Sequence, residues 1–336
     1  MSSINFNADG SINFGEYTLT FTDEGFEFDG AILADEFVKG WNDRGGTTGY
    51  TSGGGSPSAP VRVDTIDKFP FAADANATDV GNLTVSRHSV VGQSSAVSGY
   101  TSGGGTPTRR TDIDKFPFAV DANAADVGDL AEIKDSGAGQ SSTVSGYFSG
   151  GLATPGAVAR NVIEKFSFAA DANATDVGDL TEARNGRGQS STESGYTSGG
   201  NSPVAPTTNT IDKFPFAADA NATDVGDLTL ARYWASGHNS AVSGYTAGGN
   251  ALVNTIDKFP FASNANATDV GDLLAGLKEA AGTSSQVSGY TSGGQSPIAA
   301  YSLTAITKFS FVTDANATDV GDLTQGRSRG PAGQQV

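Results

Sequence analysis

The chain has no cysteine, two histidines, one methionine and two tryptophans in 336 residues. Without cysteine there is no disulfide framework, no thiolate metal site and no thiol nucleophile. The two histidines, His88 and His238, stand far apart, and an isolated loop histidine is more often a solvated group than a catalytic base. Positive charge is scarce too: 20 Lys and Arg face 37 Asp and Glu, a formal net charge of −17. A chain of that sign repels phosphate backbones and anionic lipid headgroups, which argues against nucleic acid and membrane insertion as partners. No apolar run approaches the ~20 residues needed to span a bilayer. The first residues also lack a basic stretch leading into an apolar one, the pattern of a secretory signal.

What is present is glycine, 45 residues of it, and a repeat. The stretch IDKFPFAADANATDVGDLT at 211–229 has close copies whose Lys-Phe pairs begin at Lys68, Lys115, Lys165, Lys213, Lys258 and Lys308. Upstream of each stands a Tyr followed by a Gly-Gly doublet, from Gly53-Gly54 to Gly293-Gly294. Units of 45 to 50 residues argue for one array rather than two ordinary domains. In the second unit four short runs have strand character: Gly92–Val97, small and uncharged; Ser98–Gly104, with Tyr100; Asp112–Ala119, with Ile113, Phe116 and Phe118; and Ala125–Ala131. Small residues suit a strand crowded at a central axis. The phenylalanines are expected to dominate each blade's core, and Pro117 to mark a bulge or the strand's end, since proline cannot donate to a ladder.

Four strands in each of six units predict an all-β fold, a six-bladed β-propeller over residues 46–336. The tail 327–336 aligns with 87–96, while the first unit begins at its second strand. The C-terminus should therefore supply the inner strand of the blade built from Tyr50–Leu83, leaving no free edge. Residues 1–45 lie outside the repeat. Ile4, Phe6, Ile12, Phe14, Leu19, Phe21, Phe26 and Phe28 alternate with polar residues, the pattern of three or four half-buried strands, too few to stand alone. This short N-terminal β arm is expected to anchor the protein, with packing on its own propeller as the rival reading; Ala31–Trp41 reads equally as helix or linker.

The Gly-Gly doublet after the second strand, the Ile-Asp of Ile211-Asp212 and the arginines Arg87, Arg184, Arg232 and Arg327 after the fourth strand resemble kelch-type repeats. Three features depart from that pattern: Ile66-Asp67 stands where Tyr-Asp is usual, Val80 or Leu83 where a Trp is usual, and the third-to-fourth connection is long. Over residues 49–327 the wording SGYTSGG…IDKFPFAADANATDVGDLT also resembles repeats in structural proteins of marine, particularly cyanobacterial, tailed phages. That resemblance implies a non-enzymatic virion structural protein, on capsid or tail fibre. It would be localised to the virion and joined to other virion proteins through residues 1–45, with its head turned to a host-surface glycan or receptor. A propeller-scaffold polysaccharide-degrading enzyme and a decoration protein without ligand remain as alternatives. Some kelch-type propellers are copper oxidases, but the Cys they need is missing here.

No cofactor is expected, apart from one open question. Asp171, Asn173, Thr175 and Asp179 alternate as in calcium loops and Glu182 falls at the twelfth place, yet Asp176 occupies the place of the required glycine. Outside this unit only Glu132 repeats the terminal Glu. Weak Ca2+ binding therefore competes with a simpler role, Asp and Asn side chains tightening the turn. As for recognition, up-and-down blades put the second-to-third connection and the blade-to-blade connection on one face. Those are the connections that vary between units, whereas the Asp-rich third-to-fourth connection barely changes. Tyr233, Trp234 and His238 fall in one variable stretch, and Arg109, Arg110, Arg160 and Tyr301 in others. Aromatic rings stack on sugars and Arg pairs with acidic groups, so these seven are the candidate ligand-binding residues.

Overall fold

The computed structural model describes residues 47–56, 62–201, 207–296 and 303–336, with the backbone of five short strands nearer the N-terminus. The chain divides into two compact units, Met1–Asp43 and Arg44–Val336. In the first, Ile4–Phe6, Ile12–Phe14, Tyr17–Thr22, Gly25–Phe28 and Ala31–Ile32 pair in sequence order as an antiparallel sheet. Ala31–Ile32 is thus a strand, and 33–46 lie outside the described residues.

The second unit is a six-bladed propeller of four-stranded antiparallel sheets. Blade 2 shows the plan: Val91–Ser94 lies innermost, followed by Ser98–Ser102, Thr108–Pro117 and Ala125–Asp135. Blade 1 is closed as the repeat phase predicts. The C-terminal strand Ala332–Gln335 pairs with Thr48–Ser52, running from Ala332 opposite Ser52 to Gln335 opposite Gly49. Pro117 ends its strand opposite Ser98, where no ladder bond is needed. The register shifts lie elsewhere, in the outer pairing between Arg110 and Asp112 and between Ile113 and Asp114.

The core lies between blades as much as within them. Each second-strand Tyr packs on two phenylalanines of the next blade: Tyr50 is stacked on Phe118 at 4.9 Å and tilted against Phe116 at 5.5 Å. The same triad recurs around the ring to Tyr290 with Phe69 and Phe71. Such pairs contribute about 0.5–1.5 kcal/mol each beyond their area burial. The Arg after the fourth strand is also an inter-blade tie. Arg87, Arg184, Arg232 and Arg327 are buried and ion-paired to Asp114, Asp212, Asp257 and Asp67 of the following blade. Between blades 2 and 3 the pair is Lys134 with Glu164, 2.7 Å apart. Between blades 5 and 6 the corresponding residues are Leu277 and Thr307.

The Asp-rich connections are part of this framework. Asp176 Oδ1 accepts from the Gly178 amide, an Asx turn that every unit repeats. Asn173 Oδ1 accepts from the Asp129 amide of the preceding blade. Asp171 pairs with Lys115 at 2.9 Å, and four more loop carboxylates, Asp74, Asp121, Asp219 and Asp314, are matched by a third-strand Lys in the same way. The acidic ring is therefore interleaved with bases that sequence position alone did not show.

Candidate ligand-binding funnel

At the axis, the small residues of the inner strands have a steric reason. Gly92, Gly139, Gly188, Gly237, Gly282 and Gly333 form a collar in which each Cα faces the carbonyl of the glycine before it. A Cβ on Gly188 would lie 1.9 Å from Gly139 O, and one on Gly92 2.2 Å from Gly333 O. The free edges beside the collar are covered by side chains: the amides of Ser94, Ser141 and Gln335 donate to the hydroxyls of Ser141, Ser190 and Ser94. Below them Gln93, Gln140, Gln189 and Gln334 each donate to the carbonyl of a neighbouring blade's Tyr.

The collar is the floor of a funnel of about 610 Å3, within the range of small-molecule sites. Its walls are the blade-to-blade connections, so it opens on the face of the variable loops. Five of these connections carry a non-glycine residue in the left-handed region: Ser89 (φ 55°), Ser136 (59°), Trp234 (60°), Glu279 (59°) and Arg329 (56°). Each such residue costs about 1–2 kcal/mol in an L-amino acid, and strain of this kind clusters at binding sites. The conformation is held by backbone bonds that run around the rim. Ser136 N donates to Ser89 O, Ser89 N to Arg329 O, Gly330 N to Glu279 O and Glu279 N to Trp234 O.

This rim is interrupted between blades 3 and 5, and the cause is in the sequence. From Arg184 to the collar glycine Gly188 there are four steps, against five from Arg87 to Gly92. The shorter connection has no left-handed residue. It brings Arg187 onto the funnel wall instead, where its Nε donates to Ala235 O and Nη1 to Gly186 O at 3.1 Å. The wall strips water from this guanidinium and lowers its pKa to about 10, with Glu279 acting in the opposite sense, so it is charged at neutral pH.

Of the residues singled out from sequence, the structure brings Tyr233, Trp234 and Arg109 together on the funnel wall. Tyr233 and Trp234 are half-buried and meet edge to face at 4.5 Å, and Lys278 Nζ stands 5.0 Å from the indole centre. Arg109 is held by Asp135 at 2.9 Å. Arg110 and Arg160 do not line the funnel; they are ion-paired to Asp112 and Glu132. His238 is displaced from its expected place beside Trp234. It belongs to the inner strand Ser236–Asn239, 1 % exposed, where it replaces the buried Gln of other blades. Its Nδ1 lies 3.0 Å from Thr283 O and its Nε2 3.0 Å from Ser236 Oγ, and burial lowers its pKa to about 4. Tyr301 lies outside the described residues.

Sequence reasoning missed Arg187, Arg329 and Glu279 and read His88 as a solvated loop group; all four stand on the same wall. His88 is kept neutral, its pKa lowered to about 4 by burial and then by Arg62, Arg329 and Arg109. On the opposite face the loop carboxylates serve their own turns and the neighbouring lysines; among the described residues no group of three or more acidic or histidine side chains is placed to hold a metal ion. A scan against models of known protein families finds no match, and a search of the curated proteins finds none.

Proposed function

We propose that the propeller is the non-enzymatic recognition head of a virion structural protein, a tail-fibre or capsid-decoration component, that binds a host-surface glycan in the axial funnel. The observation that carries the reading is the pair Tyr233 and Trp234, half-buried on the funnel wall at positions where no other blade has an aromatic. The framework does not need rings there, and aromatic faces cover sugar rings well. The resemblance of the repeats to kelch units and to marine phage structural proteins supports a displayed, extracellular role, and residues 1–45 are the proposed link to neighbouring virion proteins.

The rival reading, a polysaccharide-degrading enzyme, would have to draw on Asp135 and Glu279, the two carboxylates of the funnel wall. Asp135 is committed to Arg109, and Glu279 Oε2 accepts from the Arg329 amide at 3.1 Å. Incubation with host surface polysaccharide tests the proposal. Retention without release of reducing ends, lost on replacing Tyr233 and Trp234 by Ala, is the expected result. Release of reducing ends, or unchanged retention by the double variant, would overturn it. For the link, a chain beginning at Arg44 should stay folded and fail to join the particle; normal incorporation would remove the anchoring role.

A further inference from the structure

One funnel residue departs from the repeat in a way the framework does not explain. The inner strands open with Ala332, Val91, Ala138, Arg187, Ser236 and Ala281. Five are small, as crowding at the axis requires, and one is a long cation. Its neighbours hold it in place without neutralising it. Nε and Nη1 are taken by carbonyls, and among the described residues no carboxylate lies within ion-pair distance and Nη2 has no acceptor. The rim adds Arg329, exposed and without a carboxylate partner among the described residues. Three wall guanidiniums thus face two carboxylates, both already engaged, in a chain whose net charge is −17.

We propose that Arg187 anchors a carboxylate subsite at the axis, so that the glycan taken by the funnel is an acidic one of the uronic-acid class. Its carboxylate would meet Arg187 Nη2 while Trp234 and Tyr233 cover the sugar ring. Arginine suits this role because its planar fork matches a carboxylate and stays charged when partly desolvated. The acidic exterior does not oppose it at close range. Its field is screened over about 8 Å at physiological ionic strength, whereas a pair formed inside the funnel is screened much less.

The inference rests on the glycan reading and is separable from it by experiment. Tri-galacturonic, tri-mannuronic and tri-guluronic acids and their methyl esters, which keep the sugar and remove the charge, are titrated into the full chain by calorimetry. At least one acid is expected to bind 10-fold or more tighter than its ester, the scale of a lost charge-assisted hydrogen bond. Arg187→Ala should erase that preference. Its fold is safe by internal precedent, since Ala138, Ala281 and Ala332 hold the same place. Arg187→Lys, which keeps the charge, should retain part of the preference, and Trp234→Ala should weaken acid and ester alike. Equal binding of acid and ester, or a preference that survives Arg187→Ala, would overturn the carboxylate subsite and leave the Trp234-dependent glycan reading standing. Binding of no acid would overturn the inference, and absence of any Trp234-dependent saccharide binding would remove the glycan reading itself.

Discussion

Replacing Arg184 and Asp212 separately and together tests whether neighbouring blades are matched to each other by buried charge. Arg184 Nη2 lies 3.0 Å from Asp212 Oδ2, with both side chains fully buried. The carboxylate also accepts from Thr181 N at 2.9 Å and Thr181 Oγ1 at 2.7 Å. Asp212→Thr leaves a buried guanidinium without its main counter-charge, and Arg184→Leu leaves a buried carboxylate without its own. Breaking one side of such a pair costs about 3–5 kcal/mol. For a domain of this size that is roughly 6–10 °C in Tm, at about 2 °C per kcal/mol. The double variant recreates the combination already used between blades 5 and 6, Leu277 with Thr307. It should melt within about 4 °C of the parent, a coupling of several kcal/mol. Thermal unfolding of all four proteins by circular dichroism at one scan rate decides the matter. Single variants that melt like the parent, or a double variant that loses the sum of the two, would refute the reasoning.

Three further outcomes follow from the same geometry. Gly188→Ala puts a methyl group 1.9 Å from Gly139 O and should cost at least about 3 kcal/mol, whereas Gly105→Ala, whose nearest neighbour would be 3.7 Å away, should be near neutral; equal melting of the two would sink the collar argument. Deleting Gly330–Val336 removes the inner strand of blade 1 and the Gln334 bonds to Ser52 and Tyr100 O, and should lower Tm by more than about 10 °C; a truncated chain that melts normally would show that closure adds nothing. His238 is buried neutral with its pKa lowered to about 4 from 6.5, so the folded chain binds fewer protons than the unfolded one between those values. Stability is then complete above pH 6.5 and declines as pH falls toward 4, by roughly 3 kcal/mol from this residue. His238→Gln, the residue that four other blades carry, should remove that share of the acid sensitivity; identical pH profiles for variant and parent would exclude it.

Much of this fold is legible in the chain because a repeat states each element six times. Strand count, ring closure and the assignment of loops to faces all follow from unit phase. What the pattern does not carry is the identity of partners. Tyr100 and Phe116 belong to one unit in sequence, yet Tyr100 stacks on Phe168 of the next. In a repeat, contacts within a blade and across to its neighbour leave the same periodic trace, so packing alone separates them. The same ambiguity hid the partners of Asp114 and Asp171. His238 was misplaced because Tyr233, Trp234 and His238 read as one aromatic stretch, whereas the strand begins at Ser236 and turns the imidazole inward. Arg187 had a signal that could have found it, the missing residue between Arg184 and Gly188, but a one-residue deletion acquires meaning only once the axis it shortens toward is known.

The six units also serve as an internal comparison, and variation within it takes two forms. Framework positions change in compensated sets. Arg and Asp become Lys and Glu between blades 2 and 3, a shorter base meeting a longer acid at 2.7 Å, and become Leu and Thr between blades 5 and 6. Where Asn264 replaces a loop Asp, Lys213 has no carboxylate partner among the described residues and keeps the place over its Tyr ring, 5.7 Å from Tyr196, that Lys115 and Lys258 also hold. Each change in the buried inter-blade pairs therefore has a visible answer next door. The funnel positions behave differently. Ser89, Ser136, Arg187, Trp234, Glu279 and Arg329 differ in size, charge and aromaticity; Trp234 meets Tyr233 and Lys278, while among the described residues no neighbouring substitution neutralises Arg187. Drift on an exposed rim would scatter such residues over the surface of the variable loops. Here they converge on one cavity, five of them in a strained backbone conformation that the fold maintains with dedicated hydrogen bonds. Differences gathered around a single axis at a cost in backbone strain, with the Arg187 charge left unpaired among the described residues, are what a ligand supplied from outside would account for.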